Sequence, residues 1–199
     1  MASIQLPNIL PYQPIRISVE RYRELVQAGA FQEHDNVELL DGVVVEKMSK
    51  NPPHRIATRR CDLSLSRLVP AGWHVQNQEP ITLATSEPEP DVAIVRGRLE
   101  DYTHRHPCAE EIALVVEVAD TSLVTDRFKA SVYADARIPV YWIVNLNEQV
   151  IEVMQNPIPR INPSQYASTR IYSADEKVPV LIDGVLVAEI TAMELLSSI

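Results

Sequence analysis

The sequence predicts an α/β or α+β domain with a mixed central β-sheet flanked by helices. Three observations carry that expectation. The run Leu114-Val115-Val116-Glu117-Val118-Ala119 has no polar face: Leu114, Val116 and Val118 point one way, Val115, Glu117 and Ala119 the other. A strand apolar on both faces is covered on both, as at the centre of an α/β sheet. Asp41-Gly42, between β-branched runs, has the signature of a two-residue hairpin turn. Along the chain the pattern runs helix, strands, helix, strands, helix, strands.

Taken in order, Ser18 caps a short helix over Val19–Ala28, with Val19, Tyr22, Leu25 and Val26 on one stripe and Gly29 at its end. The Asp41-Gly42 turn pairs Leu40 with Val43 and Glu38 with Val45, which places Glu38 on a largely apolar face. Asn51 caps and Pro52 opens a helix reaching about Leu68, with His54, Ala57, Cys61, Leu65 and Leu68 along one side. Strands are expected at Trp73–Gln76, Ile81–Leu83 and Asp91–Arg96, and RGRLEDYTHRHPC reads as a surface loop with a helical turn. After the Glu117 strand a helix starts at Leu123 or Asp126 and ends at Arg137. Strands Val140–Asn145 and Gln149–Met154 follow, then a proline-rich loop, NPIPRINPS. The tail, VPVLIDGVLVAEITAMELL, reads as strand, turn, strand and a closing helix.

A chain of 199 residues suits one domain with a real core, here expected over residues 18–199 behind an N-terminal surface arm over residues 1–17. The arm is broken by prolines and lacks a continuous apolar stretch, so it reads neither as a signal peptide nor as a membrane span. Cys61 and Cys108 form no zinc-like or redox motif and no disulfide framework, which suits a cytoplasmic location. A net charge of -9 argues against a nonspecific polyanion binder. It leaves room for a local basic groove, or for acidic residues that hold cations.

The chemistry concentrates around the carboxylates. Bare and buried, Glu117 would cost several kcal/mol or more, so it must be paired, protonated or bound to a cation. On the following helix Phe128, Val132, Ala136 and Tyr133 span an apolar arc, and Lys129 falls inside it, whereas Arg127, Ser131 and Asp135 lie outside. A lysine there snorkels to an edge or meets a negative partner, and Glu117 is one loop upstream. Asp91 starts a strand that, as a neighbour of Leu114–Ala119, would bring two carboxylates to one cation. Oxygen-only ligation suits Mg²⁺ or Mn²⁺ rather than zinc.

These residues also carry a resemblance. Pro90-Asp91 followed by Glu117 resembles the PD-(D/E)XK nuclease signature. ELLDG, PDVAIV, VVEVADTS, Asp126 with Lys129, and PVYWIV together resemble a bacterial family labelled "putative restriction endonuclease", from about Val19 to Ile190. The resemblance implies a restriction-endonuclease-like fold and a metal site of Asp91 and Glu117, with Glu38 as a further carboxylate. It implies DNA as substrate, phosphodiester hydrolysis as reaction, and a homodimer. The sequence departs from the parent signature where a lysine should stand two residues after the second acid, since that position is Ala119. Lys129 is then the candidate catalytic lysine.

Each candidate also has a plainer account. Glu117 and Lys129 can be a structural ion pair, and Asp91 a strand cap. His54 can be a capping or core residue, or it can approach the site or a phosphate. Arg55 and Arg59 can be a solvated face or phosphate contacts. The competing functions are a non-catalytic binding or scaffold protein that keeps the nuclease fold, and a metal-dependent hydrolase of a small nucleotide.

Overall fold

The computed structural model describes residues 14–32, 35–47, 50–160 and 163–196. Most of the expected arm therefore lies outside the described residues. Among the described residues no helix is long and apolar enough to cross a membrane.

Helix α1 (Val19–Gln27) starts at Ser18, whose hydroxyl accepts the Arg21 N–H, and stops before Gly29 at φ 69°. Val19 and Tyr22 are buried against Leu39, whereas Val26 is exposed. Only the N-terminal half of the expected stripe has a surface to cover. Strands β1 (Val37–Leu40) and β2 (Val43–Glu46) form the expected hairpin, with Leu40 opposite Val43 and Glu38 opposite Val45.

Gly42 holds that hairpin against the chain on either side. Its φ is 75°, its N–H donates to the Thr85 carbonyl at 2.7 Å, and its own carbonyl accepts the Ile17 N–H at 2.9 Å. An added Cβ would stand 2.9 Å from Arg16 Cβ and 3.0 Å from Ile17 O. Gly42→Ala is therefore expected to cost about 1–3 kcal/mol of stability, from left-handed strain and the steric clash together. Urea denaturation checks this, and an unchanged midpoint would refute the tight approach.

The main sheet has six strands in the order β3 (Trp73–Asn77), β4 (Val92–Arg96), β5 (Ile112–Ala119), β6 (Val140–Asn145), β7 (Val150–Ile158), β8 (Gln165–Ser173). Of these pairings only β5 with β6 is parallel. Helix α3 (Leu123–Asp135) makes the crossover that a parallel pair requires. The strand with no polar face is thus central. Leu114, Val116 and Val118 pack with Ala57, Cys61 and Leu65 of helix α2 (Pro52–Ser66). Val115 and Ala119, the neighbours of Glu117 on the other face, pack with Val132 and Tyr133 of α3. Strands β9 (Lys177–Ile182) and β10 (Val185–Thr191) form a separate hairpin, followed by the short helix α4 (Ala192–Leu195), and both close the α2 side. The whole is a mixed α+β architecture, a mixed central sheet with helices on both faces.

Three elements differ from expectation. Ile81–Leu83 is not a strand: Thr82 makes one isolated bridge to Cys108, while the Ile81 and Leu83 N–H groups go to the Pro88 and Ser86 carbonyls. Ile81 and Leu83 are buried, so the apolar alternation marked burial rather than a ladder. Strand β7 continues through Asn156-Pro157-Ile158, which shortens the proline-rich loop. Pro157 is tolerated because β6 no longer runs alongside; its register with β7 ends at Gln155, and Pro157 faces only Tyr166 of β8. Strand β8 itself is an edge with only Tyr166 and Tyr172 buried, too sparse a pattern to mark a strand in the sequence.

Candidate active site

The β4–β5 register brings the two acids together. Val92 pairs with Val116, so Asp91, one residue earlier, comes opposite Glu117. Backbone groups fix both. The Val118 N–H donates to Asp91 Oδ2 at 2.9 Å, and the Asp91 N–H reaches Glu117 Oε2 at 3.4 Å.

Lys129 comes from α3, as its place in the apolar arc predicts. Its Nζ is 2.8 Å from Glu38 Oε1 and 3.1 Å from Glu117 Oε1, joining the hairpin to the main sheet. One turn further on, the Tyr133 hydroxyl donates to the same Glu117 oxygen at 2.8 Å. Asp91 is held from the other side. His54 Nε2 lies 3.0 Å from Asp91 Oδ2, and Gln78 Nε2 donates to Asp91 Oδ1 at 3.2 Å. His54 sits in the first turn of α2 because Asn51 caps that helix, accepting the His54 N–H at 3.1 Å.

All four charged groups are nearly sealed: Glu38 is 2% exposed, Glu117 4%, Asp91 6% and Lys129 6%. Burial pushes the Glu117 carboxyl up to about 8, against the opposing pull of Lys129. Burial also works against the Lys129 ammonium, but Glu117 and Glu38 outweigh it and hold the ammonium above the ordinary lysine range. For Asp91 burial is outweighed by His54, the Val118 N–H and Gln78, so its carboxyl lies below its usual value. One ionised acid and one readily protonated acid thus face each other. Asp126, also buried, is pushed up by burial to about 6 and accepts the Ser122 hydroxyl at 2.5 Å.

These groups form the floor of a cleft of about 420 Å³. Its walls are the β1–β2 hairpin, the start of α2, the loop after β5 and the first turns of α3. With this geometry the family match carries weight. Residues 19–187 match the Uma2 family, described as "Putative restriction endonuclease". The chain belongs to this family.

A solved neighbour in fold is described as "a putative nuclease belonging to DUF820", from Anabaena variabilis ATCC 29413. It superposes with a TM-score of 0.63 at 16% identity, covering 92% of this chain and 97% of that one. That likeness establishes the fold. NucC of E. coli MS115-1, in its apo form, overlaps with a TM-score of only 0.28 at 14% identity, over 58% of this chain and 53% of that one, and adds nothing to the argument. No protein of curated function matches the sequence.

Of the residues singled out in this Uma2 sequence, Asp91, Glu117, Lys129, Glu38 and His54 all line the cleft. Glu38 meets Lys129, and His54 meets Asp91. Arg55 and Arg59 line a different groove, of about 630 Å³, on the other flank of α2 with Asn77 and Gln78. Arg59 there is paired with Asp62. Three cleft or supporting residues went unassigned in the sequence reading. Asp126 and Tyr133 carried a signal, since with Lys129 they recur at helical spacing on α3. Gln78 carried none, because it reaches Asp91 from an irregular turn at φ 54°.

Proposed function

We propose that this Uma2 chain is a divalent-metal-dependent endonuclease that hydrolyses phosphodiester bonds of DNA. The observation that carries the reading is the facing pair Asp91 and Glu117 at the floor of an open cleft, with a lysine ammonium beside one of them. Asp91 immediately precedes β4 and Glu117 stands near the end of β5, so both acids meet where two central strands open into the cleft.

The donor set fits Mg²⁺ or Mn²⁺. Among the described residues no group of three or more His, Cys, Asp or Glu side chains is placed to hold a metal ion. Mg²⁺ does not need such a group, because it is ordinarily held by one or two carboxylates together with water and substrate phosphate. Asp91 and Glu117 would supply those carboxylates, and among the described residues Glu117 Oε2 has only the long Asp91 N–H contact to satisfy it. Glu38 would act from beyond Lys129. A bound ion would polarise the phosphoryl group and lower the pKa of a bound water. The protein's own groups have separate tasks. Tyr133 and Lys129 fix one oxygen of Glu117 and leave the other turned away from them. His54, Gln78 and the Val118 N–H hold Asp91 ionised and in place. The Lys129 ammonium is a fixed positive charge for the negative phosphate. A homodimer belongs to this reading, as two clefts would serve two strands.

Cleavage of supercoiled plasmid by the purified protein, with Mg²⁺ or Mn²⁺ against an EDTA control, tests the proposal. Protein that turns over no polynucleotide with either metal would instead be a scaffold that keeps the fold.

Metal binding also has a signature that needs no turnover. Glu117 in the folded protein is protonated up to about pH 8, whereas in the unfolded chain it ionises near its ordinary 4.5. The folded state then binds more protons through this interval, so this group makes stability fall as pH rises from about 4.5 to 8. A divalent ion binds the ionised form. Added Mg²⁺ is therefore expected to raise Tm more at pH 8 than at pH 6, measured by calorimetry. A Tm that ignores Mg²⁺ at both pH values would count against the ion.

A further inference from the structure

Beside the charged floor, the cleft has an apolar wall that the hydrolytic reading does not use. Val45 and the almost fully buried Leu40 of the hairpin lie on one side, Val124 and Phe128 of α3 on the other. Val124 is 85% exposed at the first turn of α3, one turn before the half-buried Phe128. We propose that this wall is a nucleobase pocket and that the cleft takes one unpaired nucleotide, making single-stranded or locally unpaired nucleic acid the substrate class. The inference rests on the reading of the floor as a phosphodiester site.

Size points the same way. At about 420 Å³ the cleft falls within the range of small-molecule pockets, roughly 300–1,000 Å³, which accommodates a nucleotide and not stacked base pairs. The carboxylates lie at its floor and are almost fully buried, which favours a phosphate that can enter the cleft over one held in a duplex backbone. A nucleotide turned out of its stack reaches them, and its exposed ring then needs an apolar or aromatic surface. Phe128 and the aliphatic residues around it supply that surface next to the floor.

The charge at the mouth selects in the same direction. Glu46 and Glu89 stand on the hairpin side and Asp120 on the α3 side. Lys47 is already paired with Glu89, and Asn51 with Asp120, while Lys50 adds a further cation to the lining. Two phosphate backbones crossing the mouth would meet this acid rim. One strand entering it meets Lys129 at the floor and carries half the charge.

The test is fluorescence anisotropy with full-length protein, using Ca²⁺ in place of Mg²⁺ so that binding is read without turnover. The probes are a short labelled single-stranded DNA, the same strand in a blunt duplex, and a strand of abasic residues. Base stacking on an aromatic side chain predicts about tenfold tighter binding of the single strand than of either other probe. Phe128→Ala should remove about tenfold of that affinity, and Val124→Asn, at an exposed position where substitution costs little stability, about threefold. A duplex or abasic strand that binds as tightly as the single strand would overturn the pocket, as would no binding to any probe. So would unchanged affinity in Val124→Asn together with a folded Phe128→Ala. Base-dependent binding without plasmid cleavage in Mg²⁺ would remove the nuclease reading and keep the pocket. Cleavage of duplex as fast as single strand would do the reverse.

Discussion

Glu117→Gln is expected to lower metal-dependent plasmid cleavage by about a hundredfold to a thousandfold or more, with little change in the folded protein. Removing one preorganised group that acts on the transition state has effects of that order, and here the group would also be a ligand of the ion. Stability should survive for a specific reason. Burial keeps the Glu117 carboxyl protonated up to about pH 8, so at neutral pH glutamine replaces a largely neutral acid of the same shape. Lys129 keeps Glu38 at 2.8 Å, and the Tyr133 hydroxyl can donate to the amide oxygen. Circular dichroism and a urea titration would establish that the variant is folded before its rate is read. Asp91→Asn should lose cleavage too, but at some cost in stability, because Asp91 accepts from Val118 and Gln78 and faces His54. Wild-type rates in either variant would remove the metal-site assignment and leave the carboxylates as structural.

How much of this was legible in the sequence depends on the kind of interaction. The β5 strand and the Asp41-Gly42 hairpin were readable because their signals are local: alternation with no polar face, and two residues able to adopt positive φ. Even the hairpin register followed from the turn. Lys129 was readable because a charge inside an apolar helical arc needs a partner, and the structure supplies Glu38 and Glu117. Strand β8 was not, since an edge strand with two buried residues has no pattern strong enough to mark it. Nor was the contact of Gln78 with Asp91, which depends on how the turn after β3 folds back toward the start of β4. The same limit applied to Arg55 and Arg59. Arg55 is one helical step of about 100° from His54 and Arg59 is five steps, about 140° net, which carries both to a different groove.

The largest stability effect is expected at Lys129. Lys129→Met keeps the apolar stem among the α3 contacts and removes only the ammonium. The acidic side chains of Glu38 and Glu117, 2% and 4% exposed, then share a site with no cation beside them, and any charge they carry is unpaired. Leaving buried charge unpaired in this way costs about 3–5 kcal/mol, whereas replacing a whole buried pair can be nearly neutral. The loss should therefore depend on the partner. In Glu38→Gln the same lysine change should cost clearly less, and a double-mutant cycle measured by urea denaturation gives the coupling directly. The pH dependence has a definite sign. Without the ammonium, the opposing pull on Glu117 is gone and its folded carboxyl holds its proton still more tightly than the unfolded chain does, so the deficit is greatest at alkaline pH and shrinks as pH falls toward 4.5. If Lys129→Met is as stable as wild type at pH 8, the ammonium does not hold the hairpin to the sheet. If stability falls as expected and added Mg²⁺ recovers part of it at pH 8, the ion and the ammonium neutralise the same carboxylates. Lys129 would then be the group that keeps this cleft folded before an ion arrives.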